Sequence, residues 1–229
     1  MAFNDGDFLE IDYSLWSTAD SKLIATTDEQ KAKGGGIYNK EVSYGPALVI
    51  LGSNTVVKGL DSALRSMGAG EQKKLTLRPE EAFGNRNEGL VRVMPMSEFR
   101  KSDINPYPGM EVTIDNAQVV VKSVNSGRVV VDANHPYAGR EVTYDVKIVR
   151  LLSSNREKIE ALGKTYAAPP TNVEVKEKCV ELSFSDSVKK NADYFVGKAN
   201  LVAAIFSYLK DVDKVTVDEE YNRPKEQDK

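Results

Sequence analysis

Residues 45–84 read GPALVILGSNTVVKGLDSALRSMGAGEQKKLTLRPEEAFG, and this stretch decides the fold of the first part of the chain. It contains no cysteine and no histidine, and none of its serines is paired with a general base. Apolar side chains are set between glycines instead, which is typical of the wall of a shaped, water-poor cleft. The stretch therefore indicates a binding cleft that has no reactive group of its own.

The sequence around this cleft predicts a sheet that packs on one short helix. Three stretches alternate apolar with polar residues in the way that a half-buried strand does: residues 8–15, 73–78 and 141–149. Residues 58–67 place Leu60, Leu64 and Met67 at helical spacing. Gly68 follows at the point where a helix favours a left-handed stop. We therefore expect an antiparallel sheet that faces this helix.

Residues 85–134 form a block with strands of their own. Their β-rich runs are separated by the turn pairs Asp115-Asn116 and Ser126-Gly127, which predicts a small all-β module. Because the strand at 141–149 resembles the closing strand of the first sheet, the first domain is predicted to be discontinuous.

The pattern changes again after residue 152. A helix at 154–166 is followed by two strands within 173–184, a strongly apolar helix at 192–210 and a strand at 214–219. The apolar helix either forms the core of this last unit or docks one flank on a second copy of the chain. The fold class is thus α+β, with domains predicted at 1–85 plus 135–152, at 86–134 and at 153–229.

Composition limits the compartment and the partners. The chain has 229 residues, a formal net charge of −3 and a pI near 5.5, so we expect neither nucleic acid nor membrane as a partner. A single cysteine, Cys179, rules out an intrachain disulfide and favours a reducing compartment. The opening MAFNDGDFLE lacks the basic and apolar regions of a secretory signal. A cytoplasmic location is therefore expected.

The order of these features resembles the FKBP-type peptidyl-prolyl cis-trans isomerases. The matching strings are LG at 51–52, VVKGLDSAL at 56–64, MGAGE at 67–71 and PEEAFG at 79–84. The run NHPYAGREVTYDV at 134–146 resembles the SlyD-like group, in which an insert-in-flap domain precedes the return to the main sheet. GIYN at 36–39, YGP at 44–46 and the C-terminal extension resemble the long archaeal members.

The resemblance implies an enzyme that accelerates rotation about Xaa-Pro peptide bonds in folding proteins. That barrier is about 18–20 kcal/mol, because rotation breaks amide resonance. The planar amide is more polar than the twisted transition state, so an apolar pocket removes the preference of water for the ground state, and no proton transfer is needed. The implied partners are unfolded polypeptides with Xaa-Pro bonds, and a homodimer through the C-terminal domain is possible.

The resemblance also implies the site residues. Four positions are expected to be catalytic: Tyr13, Val57, Phe83 and Tyr144. Six are expected to bind substrate: Ile24, Ala25, Val49, Val56, Leu60 and Tyr137. The backbone N–H of Val57 is expected to bind a substrate carbonyl. Because His135 is the only histidine, a structural hydrogen bond is expected for it, with no metal and no cofactor.

Two departures from the family pattern motivate an alternative. Ile24 and Ala25 stand where the family has a Phe-Asp pair, so the acidic group near the pocket is missing, and Phe83 lacks a tyrosine hydroxyl. A desolvation mechanism needs neither group. The alternative is a non-catalytic holdase that keeps the fold.

The inserted module is expected to bind clients through flexible apolar side chains. The residues expected to do so are Met94, Met96, Phe99 and Met110. The methionines could equally fill the small core of the module, and the sequence leaves these two interpretations open.

Overall fold

The computed structural model describes residues 3–115 and 117–221. The first part of the chain contains β1 (Phe8–Ser17), β2 (Leu23–Thr26), α1 (Glu29–Gly34), β3 (Ala47–Ile50), α2 (Lys58–Arg65) and β4 (Gln72–Leu77). The insert contains β5 (Val91–Pro95), α3 (Met96–Lys101), β6 (Glu111–Ile114), β7 (Ala117–Asn125) and β8 (Arg128–Asp132). The remainder contains β9 (Val142–Leu152), α4 (Asn155–Thr165), β10 (Asn172–Lys176), β11 (Cys179–Ser183), α5 (Asp186–Lys189), α6 (Tyr194–Tyr208) and β12 (Lys214–Asp218).

The first sheet is antiparallel and is built around its central strand, β1. Strand β9 pairs with β1 along one edge and with β4 on its other side, while β2 and β3 share the second edge of β1. Because side chains alternate across a strand, Leu9, Ile11 and Leu15 of β1 lie on one face, where they are buried in one cluster with the side chains of α2. The predicted antiparallel sheet on a short helix is confirmed.

Helix α2 ends earlier than the sequence predicted. It stops at Arg65, and the next residue, Ser66, still has right-handed dihedrals. Gly68, predicted as the left-handed stop, has no positive φ, whereas Gly70 has a φ of 81°. The N–H of Gly70 donates to the carbonyl of Ile148 in β9 at 2.8 Å. The left-handed glycine therefore shapes the return into β4 and does not cap the helix.

The insert forms a separate sheet with the strand order β5-β8-β7-β6, in which every pair is antiparallel. Its buried cluster is made mainly of valines from β6, β7 and β8. Helix α3, which the prediction of an all-β module omitted, adds the buried Phe99 to this cluster. Six residues are too few for helical periodicity to stand out in the sequence.

The predicted turns of the insert have the backbone that such turns require. Ser126 and Gly127 have φ values of 46° and 78°, the positive pair of a type I′ hairpin turn. Asp115 has a φ of 49°, and its partner Asn116 lies outside the described residues.

The two chain crossings between the insert and the first sheet are tied to each other. The buried carboxylate of Asp132 accepts hydrogen bonds from Arg86 NH2 at 2.6 Å and from Asn134 Nδ2 at 2.8 Å. Asn134 Oδ1 in turn accepts from the N–H of Asn87 at 2.8 Å. Burial opposes ionisation of Asp132, but the hydrogen bonds from Asn134 and Arg86 outweigh it and hold its pKa below the ordinary value.

The C-terminal part of the chain packs on the first sheet. Strands β10 and β11 are antiparallel, and β11 and β12 are parallel because α6 makes the crossover between them. Phe8, Ile50 and Leu152 of the first sheet belong to the same buried cluster as the apolar side chains of α4 and α6. One core therefore extends across residue 152. Within residues 3–115 and 117–221, no helix has the length and apolar character to cross a membrane.

Candidate active site

An apolar cleft of about 600 Å³ opens between the first sheet, the start of α2 and the loops that follow β4 and β8. All ten of the site residues predicted for the first domain line this cleft: Tyr13, Ile24, Ala25, Val49, Val56, Val57, Leu60, Phe83, Tyr137 and Tyr144. The structure thus brings together residues from four strands, one helix and three loops. Their placement is observed, and their roles stay predictions.

Two tyrosines form one wall of the cleft. Tyr13 on β1 and Tyr144 on β9 lie on neighbouring strands, with ring centroids 6.0 Å apart and planes tilted by 49°. Burial raises the pKa of Tyr13, and burial together with the nearby Tyr13 raises the pKa of Tyr144 to about 12. Both phenols are therefore neutral at physiological pH, and the wall carries no charge.

The floor of the cleft comes from α2. Leu60 is fully buried, and Gly59 lets the helix approach β4 closely, since a Cβ at Gly59 would lie 2.6 Å from the Leu77 side chain. No residue with a side chain fits there without movement of Leu77.

A backbone donor lies at the start of α2. Val57 is the N-cap residue, with φ −63° and ψ 149°, and its carbonyl accepts from the N–H of Asp61 at 3.0 Å. The N–H of Val57 itself has no acceptor within residues 3–115 and 117–221. The first N–H groups of a helix have no intrahelical acceptor and carry partial positive charge, so this position suits a carbonyl of a bound ligand.

Three aromatic rings form the rim. Phe83 and His135 stack with centroids 4.3 Å apart and planes 6° from parallel, and Tyr137 lies 5.8 Å from Phe83. The structural hydrogen bond predicted for His135 is present, because Tyr137 N donates to its Nδ1 at 3.2 Å. Sequence reasoning missed that His135 also lines the cleft, since a lone histidine has no motif partner to mark it.

Among the described residues that line this cleft, none carries a carboxylate. The other residues that sequence reasoning did not assign to it are Ile11, Leu15, Ala47, Leu48, Asn54 and Thr55. Several of these neighbour predicted positions on the same strands, so side-chain alternation could have identified Ile11 and Leu15. The cleft can bind and orient an apolar ligand with amide groups, and its described lining includes no cysteine, serine or lysine.

The insert has a groove of its own, with a volume of about 470 Å³. Of the four predicted client-binding residues, Met94 and Phe99 line this groove, while Met96 and Met110 pack against the buried cluster of the insert. Phe99 is only 3% exposed, so it also serves the core. Val93 and Tyr107, which were not predicted, are exposed apolar side chains on the same unit.

Comparison with known proteins gives two family matches in overlapping segments of the chain. A family described as FKBP-type peptidyl-prolyl cis-trans isomerase matches residues 2–99, and one described as FKBP26, IF domain matches residues 92–137. A short-type peptidyl-prolyl cis-trans isomerase of Methanocaldococcus jannaschii is 33% identical over 143 residues, which cover 62% of this chain and 90% of that protein. A probable FKBP-type 16 kDa isomerase of Pseudomonas fluorescens is 31% identical over 124 residues, covering 52% of this chain and 81% of that protein. SlyD of Pasteurella multocida is 28% identical over 145 residues, covering 62% and 72%.

These findings define the protein as a peptidyl-prolyl cis-trans isomerase with an inserted second sheet. The chain belongs to the FKBP-type family, and its insert corresponds to an insert-in-flap domain. The resemblance seen in the sequence is thereby confirmed.

Proposed function

We propose that the cleft around Val56, Val57 and Leu60 is the isomerase site and that it acts by desolvation. The observation that supports this is the convergence of the ten predicted residues on one cleft whose described lining has no carboxylate and includes the backbone N–H of Val57, which has no acceptor among the described residues. An Xaa-Pro segment would place its prolyl ring against the apolar floor. The N–H of Val57 would hold a backbone carbonyl in register.

The physical basis is the polarity of the amide. A planar amide is stabilised by water more than a twisted one, so removing water raises the ground state relative to the transition state. Neutral Tyr13 and Tyr144 keep the wall uncharged, which preserves this effect. The carboxylate absent at Ala25 and the hydroxyl absent at Phe83 have no part in this mechanism. Family membership and this geometry together favour the enzyme over the alternative of a non-catalytic holdase.

A charge placed in the cleft tests the proposal. Val56 is half-buried in the lining, so Val56→Glu introduces a carboxylate that must be desolvated when substrate binds. We expect kcat/KM for a short Xaa-Pro peptide, measured by protease-free NMR exchange, to fall at least about tenfold. Val175→Glu is the matched control, because Val175 is exposed on β10, away from the cleft. Wild-type turnover by Val56→Glu would exclude this cleft as the site.

We further propose that the insert binds unfolded clients. Its groove combines Met94 and Ile114 with the polar Glu98 and Thr113, so it can accept apolar side chains next to extended backbone. Client bound there would raise the local concentration of prolines at the cleft.

A homodimer through α6 is the third proposal. Phe195, Ala199, Val202 and Phe206 recur on one face of the helix, and Phe195 and Phe206 are 62% and 43% exposed. The order Phe-Ala-Val-Phe is nearly the same from either end. An antiparallel pair of these faces would set each phenylalanine against the opposite one of the second copy, as a two-fold interface requires.

The remaining expectations on location and partners are also proposals. A net charge of −3 and one half-buried cysteine fit a cytoplasmic protein that acts on polypeptides and does not bind nucleic acid or membranes. Fractionation of the source cells would test the location.

A further inference from the structure

The imidazole ring of His135 is held in one orientation at the rim of the cleft. It stacks on Phe83 with the two planes 6° from parallel, and its Nδ1 accepts the N–H of Tyr137 at 3.2 Å. The residue is nevertheless exposed, and it lines the cleft. A fixed ring on an exposed residue is a feature that the proposed desolvation mechanism does not use.

The hydrogen bond at Nδ1 determines which nitrogen carries the proton. A neutral imidazole has one N–H donor and one acceptor nitrogen. Because Nδ1 of His135 is the acceptor for Tyr137, the proton of the neutral ring is on Nε2. Within residues 3–115 and 117–221, Nε2 has no hydrogen-bond partner. His135 therefore presents a free N–H beside the cleft.

The loop around His135 does not need this N–H for its own shape. The N–H of Ala138 donates to the carbonyl of His135 at 2.9 Å, and the N–H of Gly139 donates to the carbonyl of Gly84 at 2.8 Å. These backbone bonds hold the loop against the chain that follows β4. The donor at Nε2 is thus available for a ligand.

A polypeptide that enters an apolar cleft loses water from its backbone carbonyls, and each carbonyl left without a donor is destabilising. The N–H of Val57 can serve one carbonyl only. We propose that His135 is a substrate-anchoring residue whose Nε2–H donates to a second backbone carbonyl of the bound polypeptide. The inference rests on the proposed function of the cleft as the substrate site.

Three substitutions separate the possible roles of the ring. His135→Asn keeps an acceptor near the position of Nδ1, His135→Gln keeps a donor near the position of Nε2, and His135→Phe keeps only the stack on Phe83. We expect KM for a short Xaa-Pro peptide to rise about three- to tenfold in the Asn and Phe variants and to stay within about twofold in the Gln variant. The comparison uses only full-length variants whose midpoint of thermal unfolding equals that of the wild type.

Any other pattern of KM values among the three His135 variants overturns the proposal. Wild-type KM in His135→Phe alone would assign the ring a stacking role, and wild-type KM in His135→Asn alone would assign it a loop-bracing role. Equal losses, or no loss in any variant, would also exclude the donor. The Val56→Glu variant distinguishes failure of the anchoring proposal from failure of the proposed substrate site. If Val56→Glu loses turnover while the His135 variants keep the wild-type KM, the cleft remains the proposed site and only the anchoring role of His135 is excluded.

A direct observation is possible because His135 is the only histidine. Protein labelled with ¹⁵N-histidine and prepared without a histidine tag gives one imidazole to follow by NMR. We expect the Nε2–H tautomer in the free protein and slower exchange of that proton when the Xaa-Pro peptide is added. An Nδ1–H tautomer, or a proton whose exchange is unaffected by peptide, would contradict the proposal.

Discussion

At the scale of single residues, the cleft is built from side chains that usually fill cores. Val57, Leu60 and Phe83 are ordinary apolar residues by type, and nothing in their spacing distinguishes a cleft wall from a buried face. Their ordered match to a known family predicted that they would meet, and the structure brings them together. The stack of His135 on Phe83 could not be predicted, because it joins residues on either side of the insert.

The absence of a carboxylate at Ala25 gives a prediction at this scale. If desolvation lowers the barrier, Ala25→Asp adds a group that the mechanism does not need in a half-buried position. We expect kcat/KM for short Xaa-Pro peptides to fall, as in Val56→Glu, because this carboxylate in the cleft lining must also lose water when substrate binds. A gain of about a hundredfold or more would show that a carboxylate dominates the reaction and that this cleft is an impaired form. The measurement is protease-free NMR exchange on a series of short peptides that differ in the residue before proline.

At the scale of elements, long alternating strands were predictable and short elements were not. Strands β1, β4 and β9 follow from alternation, because one face of each packs on α2. Helices α3 and α5 have six and four residues, and strand β5 is recognisable only from its pairing with β8. Such short elements form because of their tertiary contacts, and these contacts leave no pattern in the local sequence.

The hydrogen bonds of Asp132, where the chain passes between the insert and the first sheet, can be tested by substitution. Asp132→Asn removes the charge that Arg86 and Asn134 bind, so the insert should lose its fixed orientation. We expect proline-limited refolding of a large client to fall about three- to tenfold, with turnover of short peptides unchanged. Asp103→Asn, at an exposed site in the insert, is the matched control.

Deletion of residues 86–132 shows how much of the refolding activity depends on the insert. The deletion should abolish the advantage of large clients over short peptides. Undiminished catalysis of refolding after the deletion would refute the client-binding role of the insert.

At the scale of the whole molecule, the C-terminal part has its own sheet and shares a hydrophobic core with one end of the first sheet. Phe8, Ile50 and Leu152, which pair with one another at one end of the sheet, are buried in the core that the C-terminal part forms. The sequence predicted the elements of this part but not the shared core, because contacts between distant segments leave no local pattern. The exposed side of α6 then remains as an apolar surface.

The exposed side of α6 predicts that the protein is a homodimer in solution. Wild-type protein should show about twice its chain mass of 25.3 kDa by light scattering at micromolar concentration. Phe195→Glu combined with Phe206→Glu should give the monomer mass with peptide turnover unchanged, since the buried face of α6 is intact. A mass of 25.3 kDa for the wild type at all concentrations would exclude the dimer.

The proposed desolvation mechanism requires no proton transfer, which a pH profile of kcat/KM in H₂O and D₂O tests. A raised pKa keeps a phenol neutral to higher pH, so Tyr13, with its raised pKa, and Tyr144, with a pKa of about 12, should not ionise below about pH 9.5. We predict a flat profile between about pH 7 and pH 9.5 and a solvent isotope effect near unity. A profile that follows the ionisation of one group, or an isotope effect above about 2, would show that a proton moves in the transition state and would contradict the account.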